Sequence, residues 1–271
     1  MHFDTTSLPD EAAFAAANGM SFQTTAPTPK HGGALFEFVQ QSGVTSLFTS
    51  PAGLEVGTLT GSIGGAQTRQ LGSMTVTTSL STNLVRSYGY IAITLERAVP
   101  QLVLDAKKNG KSIPMPIANE QRLSLEGDFD QHFTLYAPKG YEQDALYIMT
   151  PDLMALLIDE TGDFDVEVVD DKLFVYSNQP FDLTNPAVWE RIGRIQDVVG
   201  AKALDQTEYY SDDRVGNRAA NTVGAEGSRL RMGFLPGKMN MKIFAAIFVG
   251  FFVLVIAAVV GIFSLVLSTM R

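Results

Sequence analysis

The sequence predicts an α+β fold: a mainly antiparallel sheet with short flanking helices, plus one C-terminal transmembrane helix. Three observations predict it. Stretches with a period of two outnumber helical stretches, and the two kinds are interleaved. The punctuation between them is short and rich in Gly, Asp and Pro. The last part of the chain, "IFAAIFVGFFVLVIAAVVGIFSLVL", holds no charge and no proline.

In chain order, "SLPDEAAFAAANG" predicts a short helix, with Ser7 as cap, Pro9 in the first turn and Gly19 closing the end. Proline turns at Pro27 and Pro29 follow, and "GALFEFVQQSG" (Gly33 to Gly43) predicts a second short helix. The period then changes to two. "LEVGTLTG" and "QLGSMTVTT" predict strands with Gly64-Gly65 in their connection, and "LVRSYGYIAITLE" a longer strand. "QLVLDA", "RLSLEG" and "QHFTLYA" predict shorter ones. "TPDLMALLIDE" predicts a helix capped by Thr150, with Pro151 at its first position and a buried face of Leu153, Leu156, Leu157 and Ile158. "DFDVEVV" and "KLFVYS" predict a hairpin around Asp170-Asp171. "NPAVWERIGRIQDVVGAKAL" predicts a last amphipathic helix, with Val188, Ile192, Ile195 and Val199 on its apolar stripe. The expected domains are an α+β unit over 1–204, a polar Gly-rich tether over 205–242, and a membrane-spanning helix over 243–269.

The chemistry on offer is thin. Cysteine is absent, which excludes disulfides and thiolate metal sites. His2, His31 and His132 are scattered, and haem or iron–sulfur ligation needs Cys or well-placed His, so no cofactor is expected. His132 lies near Asp128 and Asp130, a conceivable base and orienter, though a surface histidine on a strand is the simpler reading. "GSIGG" lacks the Lys-Ser/Thr of a phosphate loop. Gly-Asp-Phe-Asp occurs twice, at Gly127 to Asp130 and at Gly162 to Asp165. Both copies read as turns. Neither has the ligand spacing of a Ca²⁺ loop, and a joint cation site requires the two turns to meet. No catalytic or metal-binding residue is assigned.

The net charge is −9, unevenly spread: residues 1–204 hold 13 bases against 24 acids. An acidic folded part repels phosphate backbones, which argues against nucleic acid as a partner. The uncharged stretch reaches roughly 37 Å as a helix, enough to cross a hydrocarbon core of about 30 Å. The lipid bilayer is therefore one expected partner. Arg229, Arg231, Lys238 and Lys242 precede the span and only Arg271 follows it. The positive-inside rule then places the N-terminal domain in the cytoplasm of a single-pass cell-membrane protein. The opening "MHFDTTSLPDEAAF" has acids where a signal peptide has bases. Ala246, Gly250, Ala257, Gly261, Ser264 and Ser268 share one narrow stripe of the span, as small residues do where helices pack closely in lipid. An integral membrane protein is the expected partner of that stripe.

From Gln121 to Ser177, "QRLSLEGDFDQHFTLYAPKGYEQDALYIMTPDLMALLIDETGDFDVEVVDDKLFVYS" resembles an uncharacterised family of membrane-associated actinobacterial proteins. "AAFAAANGMSF" and "GALFEF" resemble the opening of that family, so the likeness spans most of residues 10–180. It implies an actinobacterial cytoplasmic membrane protein and carries no activity or catalytic residue. In mass, single anchor and small-residue stripe, the chain is similar to accessory subunits of the actinobacterial cytochrome bc–oxidase supercomplex. The expected function is that of a non-enzymatic accessory subunit or scaffold of a larger membrane assembly, a respiratory one on this second likeness. The alternatives are a membrane-tethered hydrolase or transferase and a homo-oligomeric scaffold.

Overall fold

Strand 74–106 organises the fold, because three other strands hydrogen-bond along its length. The computed structural model describes residues 1–71, 74–110, 113, 115, 117–125, 127–216 and 221–232, with side chains described outside 64–83. The described strands are β1 (Ser21–Pro27), β2 (Gln40–Thr49), β3 (Leu54–Leu71), β4 (Met74–Ala106), β5 (Arg122–Leu123), β6 (Phe133–Tyr136) and β7 (Asp165–Ser177). The sheet order is β1-β2-β3-β4-β6-β5, and β7 also pairs with β4. Every pairing is antiparallel. The α+β class and the mainly antiparallel sheet are thus as expected.

The alternation of β4 explains its place in the middle. Ile91, Ile93 and Leu95 turn to the larger core, while Tyr88, Tyr90 and Ala92 turn to a second core on the opposite face. In β7 the parity flips partway. Val166 and Val168 face the larger core before Asp170-Asp171, and Leu173 and Val175 face it afterwards. Asp170 takes φ 52°, and the register with β4 shifts between Thr94 and Val99. The two aspartates are therefore a kink inside one continuous strand, where a hairpin was expected. An extra residue in one strand reverses the facing of everything beyond it.

The helices are α1 (Glu11–Ala17), α2 (Ala34–Phe38), α3 (Phe129–His132), α4 (Glu142–Ile148), α5 (Pro151–Thr161), α6 (Pro186–Arg194) and α7 (Ala201–Thr207), with a π-helical turn at Ile195–Gly200 joining the last two. Asp10, not Ser7, caps α1, accepting from Ala13 N at 2.9 Å. Thr150 caps α5 as expected, and Asn185 caps α6 by accepting from Ala187 N at 3.0 Å. Phe14 of α1, Leu153 and Leu157 of α5 and Trp189 and Ile192 of α6 cover the larger core. Trp189 meets the rings of Phe3, Phe14 and Phe48 at 5.1, 4.4 and 4.9 Å, and its indole N–H donates to Leu183 O at 2.8 Å. Leu35 of α2 joins the second core.

Other elements differ from the sequence reading. β1 replaces the proline-turn loop; Pro27 is its last residue, where a missing N–H costs least. The second expected helix stops at Phe38, and β2 begins two residues later. Gly64-Gly65 lies inside β3. The first Gly-Asp-Phe-Asp opens α3, with Gly127 at φ 76° and Phe129 stacked on Phe133 at 5.2 Å. The second closes α5 and starts β7. Identical letters thus serve two different junctions.

The compact unit runs from Met1 to Met232. Residues 205–216 and 221–232, read from sequence as part of a tether beginning at 205, belong to it. No helix among the described residues is long and apolar enough to cross a membrane. The expected span over 243–269, its small residues Ala246, Gly250, Ala257, Gly261, Ser264 and Ser268, and the bases Lys238 and Lys242 lie outside the described residues.

Candidate functional site: a carboxylate network beneath the C-terminal strap

Residues 221–232 cross the sheet as a strap held by side chains more than by ladder bonds. Asn221 Oδ1 accepts from Ala98 N at 2.6 Å. Gly227 O accepts from Gln101 N at 3.0 Å, and Gln101 Oε1 accepts from Leu230 N at 2.6 Å. Gln121 pairs with Arg231 as a strand neighbour would: its Oε1 accepts from Arg231 N at 2.7 Å and its Nε2 donates to Arg231 O at 2.8 Å. Met232 closes the contact through a bridge to Ile117. Leu230 is buried with Ala34, Phe38, Val103 and Met115.

Glu167 lies beneath the strap. In "DVEVV" the valines 166 and 168 face the larger core, so Asp165 and Glu167 face away from it, yet both carboxylates are buried. Glu167 accepts from Gln101 Nε2 at 2.6 Å, from Ala34 N at 2.7 Å and from the Tyr176 hydroxyl at 2.8 Å. Gln101 therefore links Glu167 directly to the backbone of Leu230. Burial pushes the Glu167 carboxyl up to about 7, against the pull of its three donors. Tyr176 is likewise raised by burial and by Glu167. Gly33 is required here, since a Cβ on it would stand 2.4 Å from the Tyr176 hydroxyl.

Asp165 is raised to about 7 by burial and holds the end of β4 by accepting from Ala106 N at 2.8 Å and Asn109 Nδ2 at 3.0 Å. A third carboxylate, Glu55, accepts from the Tyr90 hydroxyl at 2.7 Å and lies 3.0 Å from His31 Nε2. Burial opposes its charge, but the His31 and Tyr90 hydrogen bonds win and lower it.

Asp212 clamps the segment before the strap. It accepts from the Tyr141 hydroxyl at 2.7 Å, Gly224 N at 2.8 Å and Arg214 N at 3.0 Å. The Arg214 guanidinium lies 4.0 Å over the Tyr141 ring and also pairs with Asp144 at 2.9 Å. Burial works against the Asp212 charge, but these donors outweigh it and hold the carboxyl at about 2.

The predicted site residues fall as follows. Arg229 pairs with Glu37 at 2.8 Å and with Asp170 at 3.2 Å, and Arg231 pairs with Glu226 at 3.1 Å. Of the four bases expected to flank a membrane, the two within the described residues, Arg229 and Arg231, thus meet acids of their own domain. His132 faces Asp128 at 3.8 Å, too long for a hydrogen bond. Asp130 accepts from Leu125 N while Asp165 serves Ala106 and Asn109, and among the described residues no group of three or more His, Asp or Glu stands ready for a metal. Sequence reasoning missed Glu167, Gln101, Gln121, Tyr141 and Asp212. The one available signal was the alternation of two acids, Asp165 and Glu167, with the inward valines 166 and 168 in "DVEVV".

Cavities among the described residues lie elsewhere. A cleft of about 340 Å³ near the N-terminus is lined by Met1, His2, Phe3, Glu190, Arg194 and Asp197. An apolar cavity of about 170 Å³ beside α6 is lined by residues that include Ile91, Phe164, Phe181, Val188 and Ile195. Neither is lined by Glu167, Asp165 or Glu55. The perturbed carboxylates serve backbone and side chains of their own chain, so the arrangement holds segments in register.

No protein family matches the chain, and no curated protein matches it. Among solved structures it is similar to the mycobacterial trehalose monomycolate transport factor A, TtfA, with 12% identity and a TM-score of 0.44 over 73% of this chain and 92% of that one. At that level the likeness carries no argument.

Proposed function

We propose that the chain is a non-enzymatic accessory subunit or scaffold of a larger membrane assembly, a respiratory one on the resemblance described above. In this reading residues 243–269 span the bilayer and the folded unit lies on the cytoplasmic face. The stripe of Ala246, Gly250, Ala257, Gly261, Ser264 and Ser268 packs against an integral membrane protein. The observation that carries the proposal is the strap. Gln101, Gln121 and Arg229 hold the chain to the domain as far as Met232. Only the ten residues 233–242 then separate that clamp from the expected span. A link of only ten residues suits a part that must keep its place beside a partner. The buried carboxylates support the same reading, since their acceptor positions are taken up by internal donors.

The test is purification of the intact chain from its native membrane in mild detergent, followed by mass spectrometry. Stoichiometric recovery with a respiratory complex is expected. Gly250→Leu combined with Gly261→Leu should release the protein from that complex while leaving it in the membrane. Retained association in the double variant would remove the packing proposal, and recovery without any membrane protein would remove the subunit proposal.

A further inference from the structure

The pair Asn-Gly occurs twice, at Asn18-Gly19 and at Asn109-Gly110. Such a pair is chemically labile in a peptide. The main-chain nitrogen of the glycine attacks the amide carbon of the asparagine, and a residue without Cβ neither shields that nitrogen nor resists the backbone conformations the attack needs. Both glycines take positive φ, 65° and 70°. In sequence the two pairs are equal. Their surroundings are not.

Asn18 closes α1, and every polar atom of its side chain is bonded. Its Oδ1 accepts from Asp4 N at 2.8 Å, and its Nδ2 donates to Asp4 O and to Phe14 O, both at 2.9 Å. The attacking nitrogen is engaged too, since Gly19 N donates to Ala16 O at 3.2 Å.

Asn109 stands in the turn after β4, with one side-chain bond, from Nδ2 to Asp165 Oδ1 at 3.0 Å. Its Oδ1 is buried and accepts from nothing among the described residues. A buried acceptor left unpaired costs about as much as a hydrogen bond to a carboxylate contributes. Turning the amide out into water therefore exchanges one for the other at little net cost. Asn178 Nδ2 donates to the Asn109 carbonyl at 3.2 Å, which steadies the main chain and leaves the side chain to turn. Gly110 is exposed, and a Cβ built on it would meet nothing within 4 Å. Among the described residues its N–H has no hydrogen-bond partner.

We propose that Asn109 is a site of spontaneous modification, whose side-chain amide becomes a carboxyl in the folded protein while that of Asn18 is preserved. In the first step the Gly110 nitrogen bonds to Asn109 Cγ and the Cγ–Nδ2 bond breaks. Ammonia leaves with the proton that the Gly110 nitrogen gives up. Water then opens the five-membered imide. Opening at Cγ yields Asp; opening at the main-chain carbonyl yields an isoaspartyl link, with the chain rerouted through Cβ. Either product replaces the donor that faced Asp165 by a second carboxyl. Asp165 is buried and accepts from Ala106 N, next to the Leu104–Val166 rung that joins β4 to β7. Like charges then meet at that join. The site is a slow clock on the fold; it goes beyond the assembly reading and does not depend on the membrane span.

The intact chain tests this. It is aged in mildly alkaline buffer, folded in detergent and unfolded in guanidinium, and its peptides are mapped by mass spectrometry, with isoaspartyl content read by enzymatic methylation. Both sites should convert at similar rates in the unfolded chain. In the folded protein Asn109 should keep at least a tenth of its unfolded rate, and Asn18 should fall below a tenth. Asn109→Asp, the product of normal linkage, should denature at lower urea than Asn109→Ala, which removes the same donor without adding charge. Three results would each overturn the proposal. They are a folded protein that slows Asn109 more than tenfold, an Asn18 that converts in the folded protein as fast as Asn109, and an Asn109→Asp variant at least as stable as Asn109→Ala.

Discussion

Replacing Glu167 with Gln tests whether a buried acid governs the strap. In the wild-type protein, burial lifts this carboxyl from 4.5 to about 7. At 1.36 kcal/mol per pKa unit, that is worth ~3 kcal/mol. The folded state holds the proton more tightly than the unfolded chain. The contribution is therefore complete below about pH 4.5 and lost as pH rises through about 7. Neutral Glu167 keeps its partners, because the Tyr176 hydroxyl can turn from donor to acceptor. The amide introduced by Glu167→Gln has no such freedom. Its oxygen serves Ala34 N and Tyr176, but its NH₂ group then faces the amide of Gln101, which cannot turn without meeting the N–H of Leu230. One buried donor is left unmatched, at a cost of about 1–3 kcal/mol. The variant should thus be less stable than wild type at pH 5 and equal to it or more stable at pH 9. Asp165, which is also raised to about 7, titrates in both proteins and cancels. Urea denaturation followed through Trp189 emission, at the two pH values in one detergent, measures the difference. A stability difference that stays the same at pH 5 and pH 9 would refute the reasoning.

Two further outcomes follow from the packing and from the second clamp. Trp189→Ala removes the largest fully buried side chain and leaves Phe3, Phe14 and Phe48 facing a void, so it should cost about 3–5 kcal/mol in chemical denaturation. Asp212, held at about 2, lends stability above its ordinary 3.8 that is lost as pH falls through about 2. Protection of the Gly224 amide and its neighbours, measured against their intrinsic exchange rates, should therefore fall between pH 4 and pH 2 in the wild-type protein, and Asp212→Asn should already lack that protection at pH 6.

Much of the fold was legible where local chemistry decides it. Thr150 and Asn185 cap their helices because each sits before a proline and a run of helix formers. The stripe of Ile192, Ile195 and Val199 points inward as its spacing predicts. What local chemistry could not reveal is where elements join. β4 continues through Gly89, which pairs with Thr58 on one side and Ser177 on the other, and through Pro100, where its register with β7 shifts between Val99 and Leu102; no window of the sequence displays either. The aspartates at 170 and 171 carry a turn signal, but β4 continues alongside them and keeps the strand whole. The strap reads as a polar linker because its grip comes from Gln101, Gln121, Glu37 and Asp170, which lie far from it in sequence. The carboxylate network was hidden for the same reason. Only the position of Glu167 among inward valines hinted at it.

The strap also bears on how the molecule comes to be folded. Gln101 meets Leu230 across 129 positions, and Arg229 meets Glu37 across 192. A ribosome must therefore release nearly the whole domain before these bonds can close, and until then Gln101, which donates to Glu167, lacks its own donor at Leu230 N. Chains rich in such distant pairings reach their native state slowly. The early part of this one must wait for residues 228–232 to arrive.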